Sequence, residues 1–144
     1  MAEQTEDDDV LVRLTDADLM LADPSQDIRD RKVIDQHGDD IGHVSGLFVD
    51  KDEKKVRILE VAAGGFLGLG ERHFLIPVEA VSSVEKDDVR INQTRERVGN
   101  SPPYDPKLTE VPKRDLFDPY YGYYGYAPYW GGGGNLYGMG SPLI

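Results

Sequence analysis

The chain of 144 residues has no cysteine, a single tryptophan, and no apolar run near the roughly 20 residues that span a bilayer. Without cysteine, disulfides, thiolate nucleophiles and cysteine-ligated zinc or iron–sulfur sites are excluded. The opening MAEQTEDDDV is acidic where a secretory signal peptide needs a basic segment followed by an apolar one. We therefore expect a cytoplasmic protein without a membrane span.

Positive charge is scarce. The chain has 16 basic and 27 acidic residues, a formal net charge of −11, and residues 1–27 alone carry nine acids and one base. Nonspecific binding to nucleic acid depends on cations that displace the counterions of the phosphate backbone. A nucleic-acid partner is therefore not expected unless a strong local basic patch exists.

In the middle of the chain, apolar residues alternate with polar ones over short runs bounded by turn residues, which predicts strands rather than helices. Short strands at this spacing indicate a small all-β barrel, and Gly42 and Gly46 mark bends or bulges that help a sheet curl. The turns are predicted at Gln36–Asp39 and Lys51–Lys54. The six predicted strands are Lys32–Asp35, Ile41–Asp50, Lys55–Ala62, His73–Val78, Val81–Lys86 and Val89–Gln93.

The flanks of the barrel predict little regular structure. Leu11–Leu14 is expected as an edge strand, and Thr15–Asp18 as the start of a single helical turn ended by Asp23 and Pro24. A short helix is predicted at Arg95–Val98, and the folded unit is expected to end near Leu108.

From Tyr120 onward the sequence has no charged residue but seven of the eight tyrosines and eight of the sixteen glycines. This composition is typical of a low-complexity tail that does not build a packed core. The tail is either without function or available for protein contact through its aromatic rings. The predicted organisation is an acidic arm (1–26), a barrel domain (27–98), a Pro-rich boundary (99–119) and the Tyr/Gly-rich tail (120–144).

Apolar residues occupy both faces of two predicted strands. If Val56, Ile58, Phe74, Ile76 and Val78 fill the barrel, an apolar set remains on its outer wall, where a monomer normally exposes polar groups. The chain's own flanks, a second copy or another protein must then cover that set. Its members are Leu59, Val61 and Leu75.

The segment from Ala62 to Gly70 interleaves four glycines with three large apolar residues. It lacks the Gly-Lys-Ser/Thr and Gly-x-Gly-x-x-Gly patterns of nucleotide loops. It is therefore either a loop packed under the barrel or a docking loop for a partner. Together with the outer wall, it gives the predicted partner-binding residues, which are Leu59, Val61, Phe66, Leu67, Leu69 and Leu75.

Catalytic and metal-binding patterns are weak. The acidic residues cluster in predicted turns, where solvation explains them better than paired-carboxylate catalysis. The serines have no nucleophile elbow or base partner. His37, His43 and His73 leave a surface metal site or metal sensor as a minor hypothesis. We predict no enzyme activity, no catalytic residue, no bound metal and no cofactor.

The motifs of the middle segment occur in a characteristic order. The segment resembles the PRC-barrel family over about residues 27–98, although Asp30 stands where the family usually has glycine. The resemblance depends on Asp27-Ile28-Arg29, Val33-Ile34-Asp35, Gly38-Asp39-Asp40-Ile41-Gly42-His43-Val44, Leu47-Phe48-Val49-Asp50, Val56-Arg57-Ile58-Leu59, Gly64-Gly65-Phe66-Leu67-Gly68-Leu69-Gly70 and Leu75-Ile76-Pro77-Val78.

This resemblance implies a small β-barrel that binds proteins, as in the cytoplasmic part of the photosynthetic reaction-centre H subunit and in a ribosome-maturation factor. The chain is most similar to stand-alone bacterial members, which are sometimes discussed with stress responses. The leading hypothesis is a non-catalytic interaction module that forms a homo-oligomer or docks a protein partner. The alternative is a ribosome- or RNA-associated factor that uses Lys51, Lys54, Lys55, Arg57, Arg90, Arg95 and Arg97.

Overall fold

The computed structural model describes residues 11–64, 71–106 and 114–131. Seven strands in these residues form one curled sheet, which confirms the all-β prediction, the six predicted strands and the edge strand before them. Boundaries agree with the predicted ones to within one or two residues at most ends. The strands are β1 (Leu11–Arg13), β2 (Lys32–Ile34), β3 (Asp40–Asp50), β4 (Val56–Ala63), β5 (Arg72–Pro77), β6 (Val81–Val84) and β7 (Asp88–Ile91).

The strand order is β5-β4-β3-β2-β7-β6, and β1 pairs with the second half of β3. All neighbours are antiparallel except β2 and β7, which are parallel. The long strand β3 therefore pairs with β2 near its start, with β1 near its end, and with β4 over most of its length. This central position makes β3 the strand on which the curl of the sheet depends.

Irregular pairing along β3 supplies the curl. The β2–β3 register shifts between Val33 and Ile34, and the β3–β4 register shifts between Val44 and Gly46 and again between Phe48 and Val49. Such bulges bend a strand and increase its twist. The predicted bends at the two glycines of β3 are thus confirmed as part of this irregular region.

The concave side of the sheet encloses an interior core of aliphatic side chains and Phe74. Val33, Val44, Leu47 and Leu59 in this core have no solvent exposure. Its members come from every strand except β1, from the segment Leu14–Ile28, from Val78 and Ala80 after β5, and from Val98. The barrel therefore has a core of its own, to which the C-terminal residues 114–124 contribute no fully buried side chain.

Within the described ranges, three α-helices accompany the sheet. The four-residue helix α1 (Ala17–Met20) is capped by Asp16, whose carboxylate accepts the N–H groups of Asp18 and Leu19. Helix α2 (Arg95–Gly99) is capped by Thr94, whose hydroxyl accepts the Arg97 N–H at 3.1 Å. Both were predicted. Helix α3 (Arg114–Tyr124) was not.

Helix α3 corrects two predictions about the C-terminal segment. Tyr120, Tyr121 and Tyr124 are buried, so the Tyr/Gly-rich sequence does pack, and the expectation that the folded unit ends near Leu108 was wrong. The helix ends in a Schellman motif, because Gly125 has φ +83° and the N–H of Tyr126 donates to the Tyr121 carbonyl at 2.9 Å. The boundaries of the four predicted segments otherwise remain a prediction.

Asp30 adopts the left-handed conformation, with φ +76°, just before β2, and its N–H donates to the Val44 carbonyl at 2.7 Å. This backbone geometry costs a residue with a Cβ more than it costs glycine. We expect Asp30→Gly to stabilise the chain by about 0.5 kcal/mol and Asp30→Ala to destabilise it by about 1 kcal/mol. Urea unfolding followed by circular dichroism measures both changes. An alanine variant as stable as the glycine variant would contradict the argument.

Candidate functional site

The outer face of the sheet is apolar where β1, β3, β4 and β5 lie side by side. We use "outer face" for the four buried side chains of this region, and α3 lies against it. A helix face with apolar residues three, four and seven positions apart suits such a surface. Phe117, Tyr120, Tyr121 and Tyr124 of α3 have this spacing. The outer face consists of Leu11, Phe48, Ile58 and Leu75.

Aromatic contacts hold α3 in place. The Phe117 ring lies edge-on to the Phe48 ring with centroids 5.2 Å apart, and Phe117 and Tyr121 have no solvent exposure. The Tyr120 hydroxyl donates to the Pro103 carbonyl at 2.8 Å, and burial raises the pKa of Tyr120 to about 12. A fully buried aromatic side chain contributes about 3–5 kcal/mol relative to alanine. The contact is thus strong enough to position the helix.

After α3 the chain continues across the sheet through a 3₁₀ turn, Tyr129–Gly131. The guanidinium carbon of Arg57 lies 4.2 Å from the centroid of the Tyr129 ring, a cation–π contact. The Trp130 ring packs edge-on against Tyr121, with centroids 5.5 Å apart. The sole tryptophan of the chain therefore reports directly on the contact between α3 and the barrel.

Arg57 is a buried charged residue of β4, directly before Ile58 of the outer face. It binds the Asp50 carboxylate at 3.3 Å and also pairs with Glu53. Asp50 in turn accepts the N–H groups of Asp52 and Glu53, which fixes the β3–β4 turn. The expectation that the turn acids are simply solvated was wrong for Asp50 and for Asp35, since both are buried.

A second polar cluster lies on the outer side of β4 around Glu60. This buried carboxylate pairs with Arg13, accepts a hydrogen bond from the Ser45 hydroxyl at 2.8 Å, and lies 3.1 Å from Nδ1 of His73. Burial alone would raise the pKa of Glu60, but Arg13 and Ser45 outweigh it and lower that pKa. Burial, followed by the charge of Glu60, raises the pKa of Tyr104 to about 12. The cluster fastens β1 to the sheet.

Helix α3 is also attached to α2. Arg97 donates to the Tyr123 carbonyl at 2.6 Å, and the Tyr123 hydroxyl donates to the Arg97 carbonyl at 2.6 Å. The Arg97 guanidinium carbon lies 4.5 Å from the centroid of the Tyr123 ring. These contacts fix the rotation of α3 about its axis, so that its aromatic face meets the sheet.

The structure separates the predicted partner-binding residues. Leu59 and Val61 belong to the interior core, so their assignment to the outer wall was wrong, whereas Leu75 does lie on the outer face. The cause is a bulge in β4. Val49 pairs with Val56 and Phe48 pairs with Ile58, which leaves Arg57 as an extra residue and reverses the alternation. Phe66, Leu67 and Leu69 lie outside the described residues, and partner contact through them remains a prediction.

Leu75 is covered within the chain. It has no solvent exposure and packs in the same cluster as Phe117 and Tyr121 of α3. The sequence allowed the chain's own flanks, a second copy or another protein to cover this apolar residue. In the structure the C-terminal flank covers it. Among the residues that the structure describes, Leu19 is the one large hydrophobic side chain that is exposed, at 72 %.

Three of the arginines considered for nucleic-acid binding make contacts within the chain. Arg57 is buried with its acidic partners, Arg90 donates to the Asp35 carbonyl at 3.3 Å, and Arg97 binds Tyr123. Lys51 and Lys54 are exposed in the β3–β4 turn. These three arginines therefore already have acceptors or ring contacts within the chain.

Sequence reasoning missed α3 and Glu60 as functional candidates, and it considered Arg57 only for nucleic-acid binding rather than as a buried charge. The spacing of Phe117, Tyr120, Tyr121 and Tyr124 was a signal for α3, because it is the period of an amphipathic helix. No comparable signal marks a buried charge, since burial depends on which residues meet across the sheet. In the described ranges no three His, Asp or Glu side chains are grouped as a metal site.

Comparison with known proteins gives the family. A family model described as the PRC-barrel domain matches residues 22–98. The chain belongs to the PRC-barrel family. No curated protein matches it. The PRC-barrel match includes β2 to β7, whereas β1 and α3 lie outside it.

Membership places this PRC barrel in a non-catalytic domain family of protein-interaction modules. In the part of the chain that the structure describes, no helix is long and apolar enough to cross a membrane. The PRC barrel has its own interior core, and its outer face holds a helix from beyond the family domain. These two features define the candidate site.

Proposed function

We propose that this protein is a non-catalytic cytoplasmic interaction module that docks an aromatic helix on the outer face of its PRC barrel. We further propose that the docked helix is α3, taken either from the same chain or from a second copy, so that exchange of α3 produces a homo-oligomer. The supporting observation is that α3 and the barrel meet through a cluster separate from the interior core.

Separate clusters matter because they allow α3 to leave without unfolding the barrel. The outer face contributes Leu11, Phe48, Ile58 and Leu75, and α3 contributes Phe117, Tyr120 and Tyr121. Once α3 leaves, four adjacent apolar side chains lose their cover, and soluble proteins rarely leave such a patch exposed. A second copy carries the matching helix by definition, which makes exchange a low-cost route to a dimer.

The first test measures docking in trans. Full-length Phe117→Asp removes the main anchor of α3 while leaving the outer face intact, and a fluorescently labelled peptide of residues 114–131 serves as the probe. We expect the variant to bind the peptide at least tenfold more tightly than the wild-type chain, because the wild-type α3 competes for the same face. Fluorescence anisotropy measures the two dissociation constants.

Two controls sharpen this test. A peptide carrying Phe117→Asp should not bind, and the full-length variant Asp115→Ala, which alters an exposed residue of the same helix, should behave like the wild type. If Phe117→Asp keeps the β-sheet circular dichroism spectrum but does not bind the peptide, the docking function is wrong. If Phe117→Asp unfolds the barrel, the outer cluster is part of one core and the proposal also fails.

Self-association is tested by light scattering coupled to size exclusion over a range of concentrations. We expect the wild-type chain to show dimers that increase with concentration and Phe117→Asp to remain monomeric. Equal oligomers in both would place the self-interface elsewhere. Monomers in both, together with peptide binding, would identify a different protein as the donor of the helix.

A further inference from the structure

Glu79 is a buried carboxylate at the contact between the barrel and α3. It lies in the 3₁₀ turn Val78–Ala80, which follows β5, and only 7 % of the residue is exposed. Its Oε1 atom has no hydrogen-bond partner among the described residues. The hydroxyl of Tyr121, a residue of α3 with no exposure, likewise has none there. Each side of this contact therefore has a buried polar atom without a hydrogen-bond partner among the described residues.

The charged and titratable groups around Glu79 come from three elements. Arg57 of β4 acts on Glu79 electrostatically, and Glu79, Tyr129, Arg57 and Asp118 all act on Tyr121 of α3. Arg57 already binds Asp50 and Glu53 and stacks on Tyr129. Its charge is therefore shared among several acceptors, and it offsets the charge of Glu79 only in part.

We propose that Glu79 is a pH-sensitive latch, and that its ionisation weakens the docking of α3 on the outer face. This inference rests on the proposed docking function, because it concerns how that same contact is regulated. With α3 docked, an ionised Glu79 is buried with no hydrogen-bond partner on Oε1 among the described residues, which is costly. With α3 released, water reaches the carboxylate. Loss of the proton therefore favours release, and gain of the proton favours docking.

The direction of the effect follows from linkage. Burial raises the pKa of Glu79 above its ordinary value of 4.5, although hydrogen bonding by its own backbone N–H and the charge of Arg57 oppose the shift. A carboxyl group whose pKa is higher in the docked state than in the released state stabilises docking fully at pH values below its pKa in the released state. That stabilisation is lost as the pH rises through its pKa in the docked state. Acidification should strengthen the docking of α3, and a rise in pH should weaken it.

The test measures binding of the 114–131 peptide to full-length Phe117→Asp between about pH 5.5 and 8.5. We expect the affinity to fall with rising pH, by up to about tenfold per unit, until Glu79 is ionised. In the double variant with Glu79→Gln, the neutral amide should hold the affinity at its acidic value across the range. Glu85→Gln is the matched control, because it removes an exposed carboxylate in the β6–β7 turn and leaves Arg57 and its acidic partners unchanged. Its pH profile should stay like that of the parent.

A second measurement uses Trp130 and needs no added peptide. In the full-length chain, acrylamide quenching of this sole tryptophan should increase with pH in the wild type and stay low in Glu79→Gln. Equal profiles in the two chains would overturn the latch. Peptide binding that is strong but independent of pH would overturn the latch while leaving the docking function standing. An absence of peptide binding at every pH would remove the docking function, and the quenching profiles would still decide for or against the latch.

Discussion

Replacing Gly42 with alanine is expected to destabilise the protein by about 3 kcal/mol. A Cβ atom at this position would overlap the carbonyl oxygen of Ala62 and lie 3.0 Å from both the Ala62 carbonyl carbon and the Ala63 Cα atom. These are backbone atoms of the neighbouring strand β4, so no side-chain rotation relieves the overlap. The two strands must separate, and the hydrogen bonds between them weaken.

Two other glycines provide a graded comparison. A Cβ at Gly46 would lie 2.5 Å from Nη2 and 2.8 Å from Cζ of Arg13, and this guanidinium is the flexible end of a half-exposed side chain. A Cβ at Gly64 would have no atom of the described residues within 4 Å. We expect Gly46→Ala to cost about 1 kcal/mol and Gly64→Ala to stay within about 0.5 kcal/mol of the wild type.

Urea unfolding of the three alanine variants, followed by circular dichroism, measures this series. The expected order of destabilisation is Gly42, then Gly46, then Gly64. If Gly46→Ala lowers the free energy of unfolding as much as Gly42→Ala does, then the close approach of the β4 backbone is not what makes Gly42 sensitive. The explanation would then be a general loss of flexibility in β3 rather than a close approach of two strands.

The strands and their positions along the chain could be predicted because local patterns determine them. Alternating apolar residues and turn residues such as Gly38 and Lys54 mark where each strand begins and ends, and this does not depend on which strand it pairs with. Both turn residues have positive φ, at 90° and 58°. The faces of β5 were also predicted correctly, since Phe74 and Ile76 lie in the interior core and Leu75 lies outside it.

The faces of β4 could not be predicted in the same way. Val56 and Ile58 are two residues apart, and in an uninterrupted strand they share a face. A bulge between them places Val56 in the interior core and Ile58 on the outer face. The bulge depends on how β4 pairs with β3, and no local feature of the β4 sequence marks it.

Helix α3 was missed for a different reason. Its composition is that of a low-complexity segment, and Pro119 within it is typical of a helix boundary. The periodicity of its aromatic residues was the better guide, because Phe117, Tyr120, Tyr121 and Tyr124 follow one helix face. An aromatic helix of this composition is stable when it has an apolar surface to cover, and the barrel supplies that surface.

The covered face connects the fold to the proposed function. The proposed release of α3 as a unit depends on the separation of two clusters, because docking would change only the second one and leave the interior core of the barrel intact. Oε1 of Glu79 and the hydroxyl of Tyr121 are buried polar atoms without hydrogen-bond partners in the described chain. In the proposal, affinity comes from the aromatic rings and regulation from the buried carboxylate.

The second large effect is expected at Asp35, a fully buried carboxylate at the end of β2. Its Oδ1 accepts the N–H groups of His37 and Asp39, each at 2.8 Å, and its Oδ2 accepts the N–H of Arg95 at 2.9 Å. One side chain thus joins the β2–β3 turn to the first residue of α2. We expect Asp35→Ala to destabilise the protein by about 3 kcal/mol, because it leaves three backbone donors unsatisfied.

Asparagine at this position separates geometry from charge. Its single carbonyl oxygen can serve the two turn donors or the Arg95 donor but not both, and its amide group must face the remaining N–H. We expect Asp35→Asn to be intermediate in stability. Asp39→Ala, which alters an exposed side chain of the same turn, should stay close to the wild type. Urea unfolding near neutral pH compares the four chains, and equal stability of Asp35→Ala and Asp39→Ala would contradict the argument.

The pH dependence of Asp35 gives an independent check. Burial would raise its pKa above 3.8, but the three backbone N–H groups outweigh burial and lower it. For a carboxylate with a lowered pKa, the stabilisation is present above its unfolded pKa and is lost as the pH falls through the folded one. The stability gap between the wild type and Asp35→Ala should therefore narrow in acid. For Glu79→Gln the difference in docking strength also closes in acid but has the opposite sign, because the variant docks α3 more strongly than the wild type at neutral pH and the wild type catches up in acid. The sign of the difference near neutral pH therefore distinguishes the two carboxylates.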